Sequence, residues 1–188
     1  MTSGRASSLT LIDVSGATKK ELHLTAACPC GRTAIEVVGA PILTAVCCCE
    51  NCQTAGRQFE MAPGAPPVVR TDGGTAYCLY RKDRVRVALG GETLEERRLS
   101  PSSPTRRVVA TCCNAPMFLD FTKGHWLTLY RDRLPGDPPP LEMRIMAKDA
   151  DAAAADGLPT HPTYPPGFML RILAAWAAMG FRRPKLAW

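Results

Sequence analysis

The stretch Cys47-Cys48-Cys49-Glu50-Asn51-Cys52 constrains this chain more than any other, because it sets four thiols within six residues. Ile42-Leu43-Thr44-Ala45-Val46 before it is apolar and β-branched and reads as a strand running into the cluster. Side chains alternate along a strand, so continuation to Cys49 points Cys47 and Cys49 one way and Cys48 the other. A turn at Glu50-Asn51 then brings Cys52 round to the face of Cys47 and Cys49. Three convergent thiolates suit a soft tetrahedral ion, zinc first among them, and leave a fourth position to be filled. Disulfides would have to join neighbouring thiols on opposite faces. A redox C-x-x-C accounts for neither Cys47 nor the cysteines elsewhere. A thiol redox reading would use Cys48 or Cys112 as its nucleophile.

The chain of 188 residues suits one well-cored domain, and 46% hydrophobic with 21% charged residues is a globular composition. Met1 to Lys20 lacks an apolar core of signal-peptide length. The best membrane candidate, Phe168 to Phe181, is short and carries Arg171. A cytoplasmic location without membrane contact is the expectation, and there nine cysteines favour metal over disulfides. The net charge of +6 is spread along the chain and singles out no anionic partner. Aromatic content is 6%, with no aromatic-basic interleaving, which argues against a nucleic-acid surface.

Residues 1–18 read as a flexible tail and residues 19–147 as the main domain. Strands are predicted over Glu21 to Ala27, Thr33 to Val38, Ala76 to Tyr80, Arg84 to Leu89, Arg106 to Thr111, Met117 to Phe121 and His125 to Tyr130, with one last strand in Leu141 to Ala147. Glycine and proline turns punctuate them, so the domain is mainly β. Gln53 to Met61 is ambiguous between helix and loop. Residues 148–188 form a proline-rich linker and helix: an alanine-rich helical turn at Asp149 to Asp156, then an apolar helix from Phe168 to Met179 stopped by Gly180.

A second cysteine set begins at Cys28-Pro29-Cys30-Gly31, whose two sulfurs share one face if extended. Two thiols do not close a zinc site, and the candidate partners are Cys112 and Cys113. Adjacent strand residues face opposite ways, so both can join one ion only where the backbone turns sharply. Cys78, alone in an apolar strand, reads as a small buried hydrophobe. Arg57 and Glu50 lie near the central cluster but read as surface charge and turn filler. His23, His125 and His161 lack ligand spacing to one another.

C-x-C-G near the start, C-C-C-x-x-C about twenty residues on, and the late Cys113-Asn114-Ala115-Pro116-Met117-Phe118 together resemble the glutathione-dependent formaldehyde-activating enzyme (centromere protein V-type) zinc-binding family, as a divergent branch of it. The resemblance spans residues 20–135. In the family pattern a histidine stands where this chain has Cys48, a further cysteine at Ala110 and a glycine at Asn114. The resemblance implies a zinc-held β-tent of short antiparallel strands with a C-terminal helical extension. It places Cys28, Cys30 and Cys113 at a structural zinc, with Cys112 open as a substitute for the ligand missing at Ala110. It places Cys47, Cys49 and Cys52 at a catalytic zinc. The implied activity is that of a carbon–sulfur lyase joining formaldehyde or a related aldehyde to a small thiol such as glutathione. The alternative is a non-enzymatic zinc-binding module for protein or nucleic-acid interaction, favoured by the C-terminal helix and by Arg81, Arg84, Arg86, Arg97, Arg98, Arg106 and Arg107.

Overall fold

The computed structural model describes residues 22–150 and 156–188. The first half runs β1 (His23–Ala27), β2 (Ala34–Val38), β3 (Leu43–Cys47), α1 (Glu50–Glu60), β4 (Thr75–Arg81) and β5 (Val85–Leu89). The second half runs β6 (Leu94–Arg97), β7 (Thr105–Ala110), β8 (Ala115–Phe121), β9 (Trp126–Tyr130), β10 (Met143–Ile145) and α2 (Pro166–Ala178). The chain is mainly β, with a three-stranded sheet ordered β1-β2-β5 and a seven-stranded sheet ordered β10-β3-β4-β9-β8-β7-β6. Neither sheet closes into a barrel.

Register fixes what each face of the large sheet carries. Ala45 stands opposite Tyr77, Leu79 opposite Thr128, Leu119 opposite Thr128, and Ile145 beside Cys47. With period-two alternation, these residues share one face. On it Leu43, Tyr77, Leu79, Tyr130 and Ile145 are buried against Phe168 and Ile172 of α2. The opposite face sends Cys78, Tyr80, Phe118, Leu127 and Leu129 into a second core against Ala26, Ile35 and Val37 of the small sheet. Every residue of β3 is buried, as a central strand covered on both faces demands.

Several expectations change. The pairing is not wholly antiparallel: β10 runs parallel to β3. A parallel neighbour needs a long crossover, and the whole of β4 to β9 supplies it. Gln53 to Glu60 is helical, within α1, and Met61 is its C-cap. The short strand Leu94–Arg97, with its polar Glu95-Glu96-Arg97, escapes the hydrophobic pattern because it is an edge strand. The predicted turn at Asp149 to Asp156 falls largely, and the tail of residues 1–18 wholly, outside the described residues. Among the described residues no helix is long and apolar enough to cross a membrane.

The C-terminal helix ends where its sequence says it should. Gly180 takes φ +61°, its amide bonds Ala177 O at 2.9 Å, and the Phe181 amide bonds Trp176 O at 3.0 Å. These are the two hydrogen bonds of a Schellman motif, and the Trp176–Phe181 ring contact at 5.3 Å supplies its hydrophobic clasp. Trp176 also stacks on His125, centroids 5.6 Å apart and planes 7° from parallel, while His125 Nε2 donates to Ile172 O at 2.9 Å. Buried His125 thus fastens α2 to the start of β9.

Burial pushes the His125 imidazole below its ordinary range, against the Ile172 carbonyl that favours the proton and with the charges of Arg183, Lys82 and Arg81. The folded protein therefore keeps His125 neutral where the unfolded chain binds a proton. This has no effect well above the free-histidine pKa of about 6.5; stability falls as pH drops through it, since only the unfolded state is protonated. The thermal midpoint is expected to fall between about pH 7.5 and about pH 5, and His125→Phe, which keeps a stacking ring, to flatten that slope. An unchanged slope in the variant would place the titrating group elsewhere.

Candidate metal centres

The Sγ atoms of Cys47, Cys49 and Cys52 lie within 4.8 Å of one another. Cys47 is the last residue of β3 and faces the α2 side. The strand stops there, and Cys49 becomes the N-cap of α1 with φ −64° and ψ 147°. Its carbonyl accepts from the Cys52 amide at 2.9 Å and the Gln53 amide at 3.1 Å, so the expected turn at Glu50-Asn51 is the first turn of a helix. That turn delivers Cys52 beside Cys47 and sets all three sulfurs at the positive end of the helix dipole, which favours thiolate.

Cys48 goes the other way. Its side chain is fully buried and accepts from Arg144 Nη1 at 3.5 Å. Arg144 Nη2 lies 2.8 Å from Asp72 and 2.8 Å from Asp156, so its charge is engaged by two carboxylates. Gly74 belongs to the same packing: a Cβ there would sit 2.3 Å from Val46 Cγ1 and 3.2 Å from Arg144 Nη1.

Hydrogen bonds from Cys47 and then Cys52, with the charge of Arg107, hold Cys49 at about 3. Cys47 is pushed far upward, first by its bond to Cys49, then by Cys52 and by burial. Cys52, eased down by Cys47, is still pushed up to about 11 by Cys49 and burial. The Tyr77 hydroxyl donates to Cys52.

Arg107, one of the basic strand residues that favour a binding module, is 4% exposed. Its Nη2 donates to Asn51 O at 3.2 Å, inside the Cys49–Cys52 turn, while Nε and Nη1 are buried with no hydrogen-bond partner. With Leu119 across from it, Arg107 lies on the same sheet face as the cysteines. Arg57, by contrast, donates to Gln53 Oε1 at 2.9 Å, and Glu50 is exposed.

A cavity of about 400 Å³ abuts this cluster. Cys47 and Cys52 form part of its wall, with Tyr77 and Leu79 of β4, Trp126 and Thr128 of β9, Leu119 of β8, and Phe168 and Ile172 of α2.

The second cluster joins Cys28, Cys30, Cys112 and Cys113, all four sulfurs within 4.8 Å of one another. Cys28 lies 3.4 Å from Cys30 and 3.7 Å from Cys112, Cys30 lies 3.4 Å from Cys112, and Cys112 lies 4.0 Å from Cys113. Cys112 thus belongs to the cluster along with Cys113, and the set is four thiols instead of three. Both converge because they occupy the turn between β7 and β8, where strand alternation no longer applies. That turn closes with the Cys113 amide on Ala110 O at 3.3 Å and Asn114 at φ +55°, a left-handed position that asparagine tolerates. Gly90, at φ +68°, passes so close that a Cβ would meet Arg32 O at 2.1 Å.

The Thr33 amide donates to Cys28 Sγ at 3.3 Å, and Arg32 Nη2 donates to Cys112 O at 2.6 Å. Against burial, which raises it, the Thr33 amide draws the Cys28 thiol below its ordinary value. The Arg32 backbone and side chain hold exposed Cys30 at about 6, while burial pushes Cys113 up to about 12. Cys78 is fully buried between the sheets, and burial pushes its thiol up to about 12, in keeping with a packing role.

Tetrahedral metal–sulfur bonds of about 2.3 Å place sulfurs about 3.8 Å apart. The separations in the four-cysteine cluster, 3.4 to 4.0 Å, match that spacing, the three-cysteine sulfurs lie within 4.8 Å of one another, and the donors of both are soft. Fold and sites together define a mainly β protein whose two cysteine clusters, on opposite faces of one sheet, can each hold a metal ion. No family model matches the sequence, and no curated protein matches it. Among solved structures, the chain is similar to a crystal structure of a Rhodobacter sphaeroides protein from structural genomics. The two share 15% identity with a TM-score of 0.46, covering 73% of this chain and 100% of that one.

Four candidate ligands spread over residues 28 to 113 join the small sheet to the β7–β8 turn. Cys28→Ala is expected to remove one metal equivalent and several kcal/mol of stability, whereas Cys78→Ala should leave the metal content unchanged. Elemental analysis with thermal unfolding of both variants reads this out. Equal metal loss, or equal destabilisation, would contradict a structural role for the four-cysteine cluster.

Proposed function

We propose that this is a two-zinc protein whose three-cysteine centre binds an exogenous thiol and joins it to an aldehyde carbon. The observation that carries the reading is the contrast between the clusters. One gathers four sulfurs in a partly exposed cluster; the other gathers three beside a cavity, with Cys48 turned away from it. Four thiolates close a tetrahedral ion, and three leave a position open. The C-x-C-G, C-C-C-x-x-C and late Cys-Asn-Ala-Pro order supports the chemistry of glutathione-dependent formaldehyde-activating enzymes, on a β-tent framework with zinc as the ion.

Bound zinc would supply a Lewis acid that lowers the pKa of a thiol in the open position. The chain's own groups do the rest. Cys47, Cys49 and Cys52 hold the centre, Tyr77 steadies the Cys52 sulfur, and Arg107 sets a positive charge against the added thiolate. The addition needs no oxidant: a sulfur–carbon bond forms as the carbonyl π bond breaks, and the thiol proton ends on the carbonyl oxygen. A non-enzymatic binding module is the second reading. It is favoured by the apolar residues that α2 and its end leave exposed, Met169, Leu170, Leu173 and Phe181.

Protein purified without added metal is expected to carry two equivalents. In the cobalt-substituted protein, glutathione should change the ligand-field bands of one centre, and Cys49→Ser should abolish the change. Arg107→Met, which keeps bulk and removes charge, should weaken thiol binding about tenfold or more while the four-cysteine centre keeps its metal. A cobalt spectrum indifferent to thiol would overturn the enzymatic reading in favour of the binding module.

A further inference from the structure

We infer that the thiol taken by the three-cysteine centre has an apolar body, an aromatic ring or short aliphatic chain, instead of the zwitterionic peptide of glutathione. The assignment rests on the open position argued above and concerns what fills the space next to it.

The cavity, about 400 Å³, lies within the range of small-molecule sites. Its wall is built from Leu79, Leu119, Phe121, Trp126, Ile145 and Phe168, among other apolar side chains, and no charged residue contributes to it among the described residues. The polar groups that do contribute are few. They are the hydroxyls of Tyr77, Tyr164, Thr105 and Thr128, the indole N–H of Trp126 and the thiols of Cys47 and Cys52. Tyr77 is already engaged with Cys52. Glutathione would bring two carboxylates and an ammonium to this wall, and each charge buried without a partner costs several kcal/mol. A phenyl or alkyl group would instead gain the transfer free energy of its buried surface.

Orientation follows from where the sulfurs lie. Cys47 and Cys52 form the end toward the cluster, so a soft head group entering there reaches the open position. Half-exposed Tyr164 and Met169 also line the cavity, and they mark its mouth toward solvent. A ligand that enters between them passes its sulfur inward and leaves its body against Trp126, Phe168 and Ile172.

The test uses the full chain loaded with cobalt and compares benzyl mercaptan with glutathione by their effect on the cobalt–thiolate bands. Benzyl mercaptan is expected to reach half-saturation at a concentration about tenfold or more below that of glutathione. Thr128→Trp, which adds bulk to the cavity from a half-buried position, should erase the advantage without displacing metal. Toluene should compete with benzyl mercaptan while leaving the cobalt bands alone. Glutathione binding as tightly as benzyl mercaptan would overturn the inference and leave the open thiol position standing. Bands unmoved by either thiol would overturn both, and metal content measured in the same samples shows that the centre was loaded.

Discussion

Burial of β3 on both faces is the constraint on which the three-cysteine cluster depends. A strand covered on each side has no solvent face, so every side chain must suit one of two cores. Alternation then sorts the thiols before any ion is considered: Cys47 enters the α2 side and Cys48 the opposite side. A one-residue slip of this strand would exchange them, sending Cys48 toward the cavity and Cys47 toward Arg144. Pairing on both sides, with β4 antiparallel and β10 parallel, fixes the register against that slip. The chemistry of the cluster is thus set by hydrogen-bond register several residues upstream.

The clusters reach convergence by different local means. At Cys47, Cys49 and Cys52 a strand end and a helix start supply it; at Cys112 and Cys113 a tight turn does, with Asn114 absorbing the left-handed backbone. A turn can aim two adjacent side chains at one point, which a strand cannot. It can do so only at a sheet margin, and there the four-cysteine cluster stays partly exposed, with Cys30 in solvent. A strand-to-helix junction, by contrast, can be buried, and Cys47 and Cys52 are.

These distinctions explain what the sequence disclosed. The strands with apolar alternation and the stop at Gly180 could be read directly, since period and turn chemistry are local properties. The separation of Cys48 from Cys47 was equally legible, because it needs only strand geometry. Three features were not. The joining of Cys112 depends on a turn whose closure is set by the pairing of Ala110 with Ala115. The placing of Arg107 depends on β7 and β8 being neighbours in the large sheet. The cavity depends on α2 folding back over β4, β8 and β9, more than thirty residues away in sequence from the last of them. All three are contacts between distant segments, and local pattern carries no information about them.

Charge ties the burial to the proposed chemistry. Three thiolates around a dication leave one net negative charge, costly in surroundings as apolar as this cavity wall. Arg107, buried with two nitrogens free of hydrogen bonds, brings the sum to neutrality at the Cys49–Cys52 turn. Four thiolates around a dication leave two negative charges, and that cluster sits where solvent and Arg32 can reach it. A fourth thiolate entering the inner centre would restore one negative charge there, with Arg107 close by to oppose it. A ligand adding further carboxylates would have no such counterpart among the residues lining the cavity. In the proposed zinc-bound state, the electrostatic balance that accompanies burial of the three-cysteine cluster therefore favours one soft anionic head on an otherwise uncharged molecule.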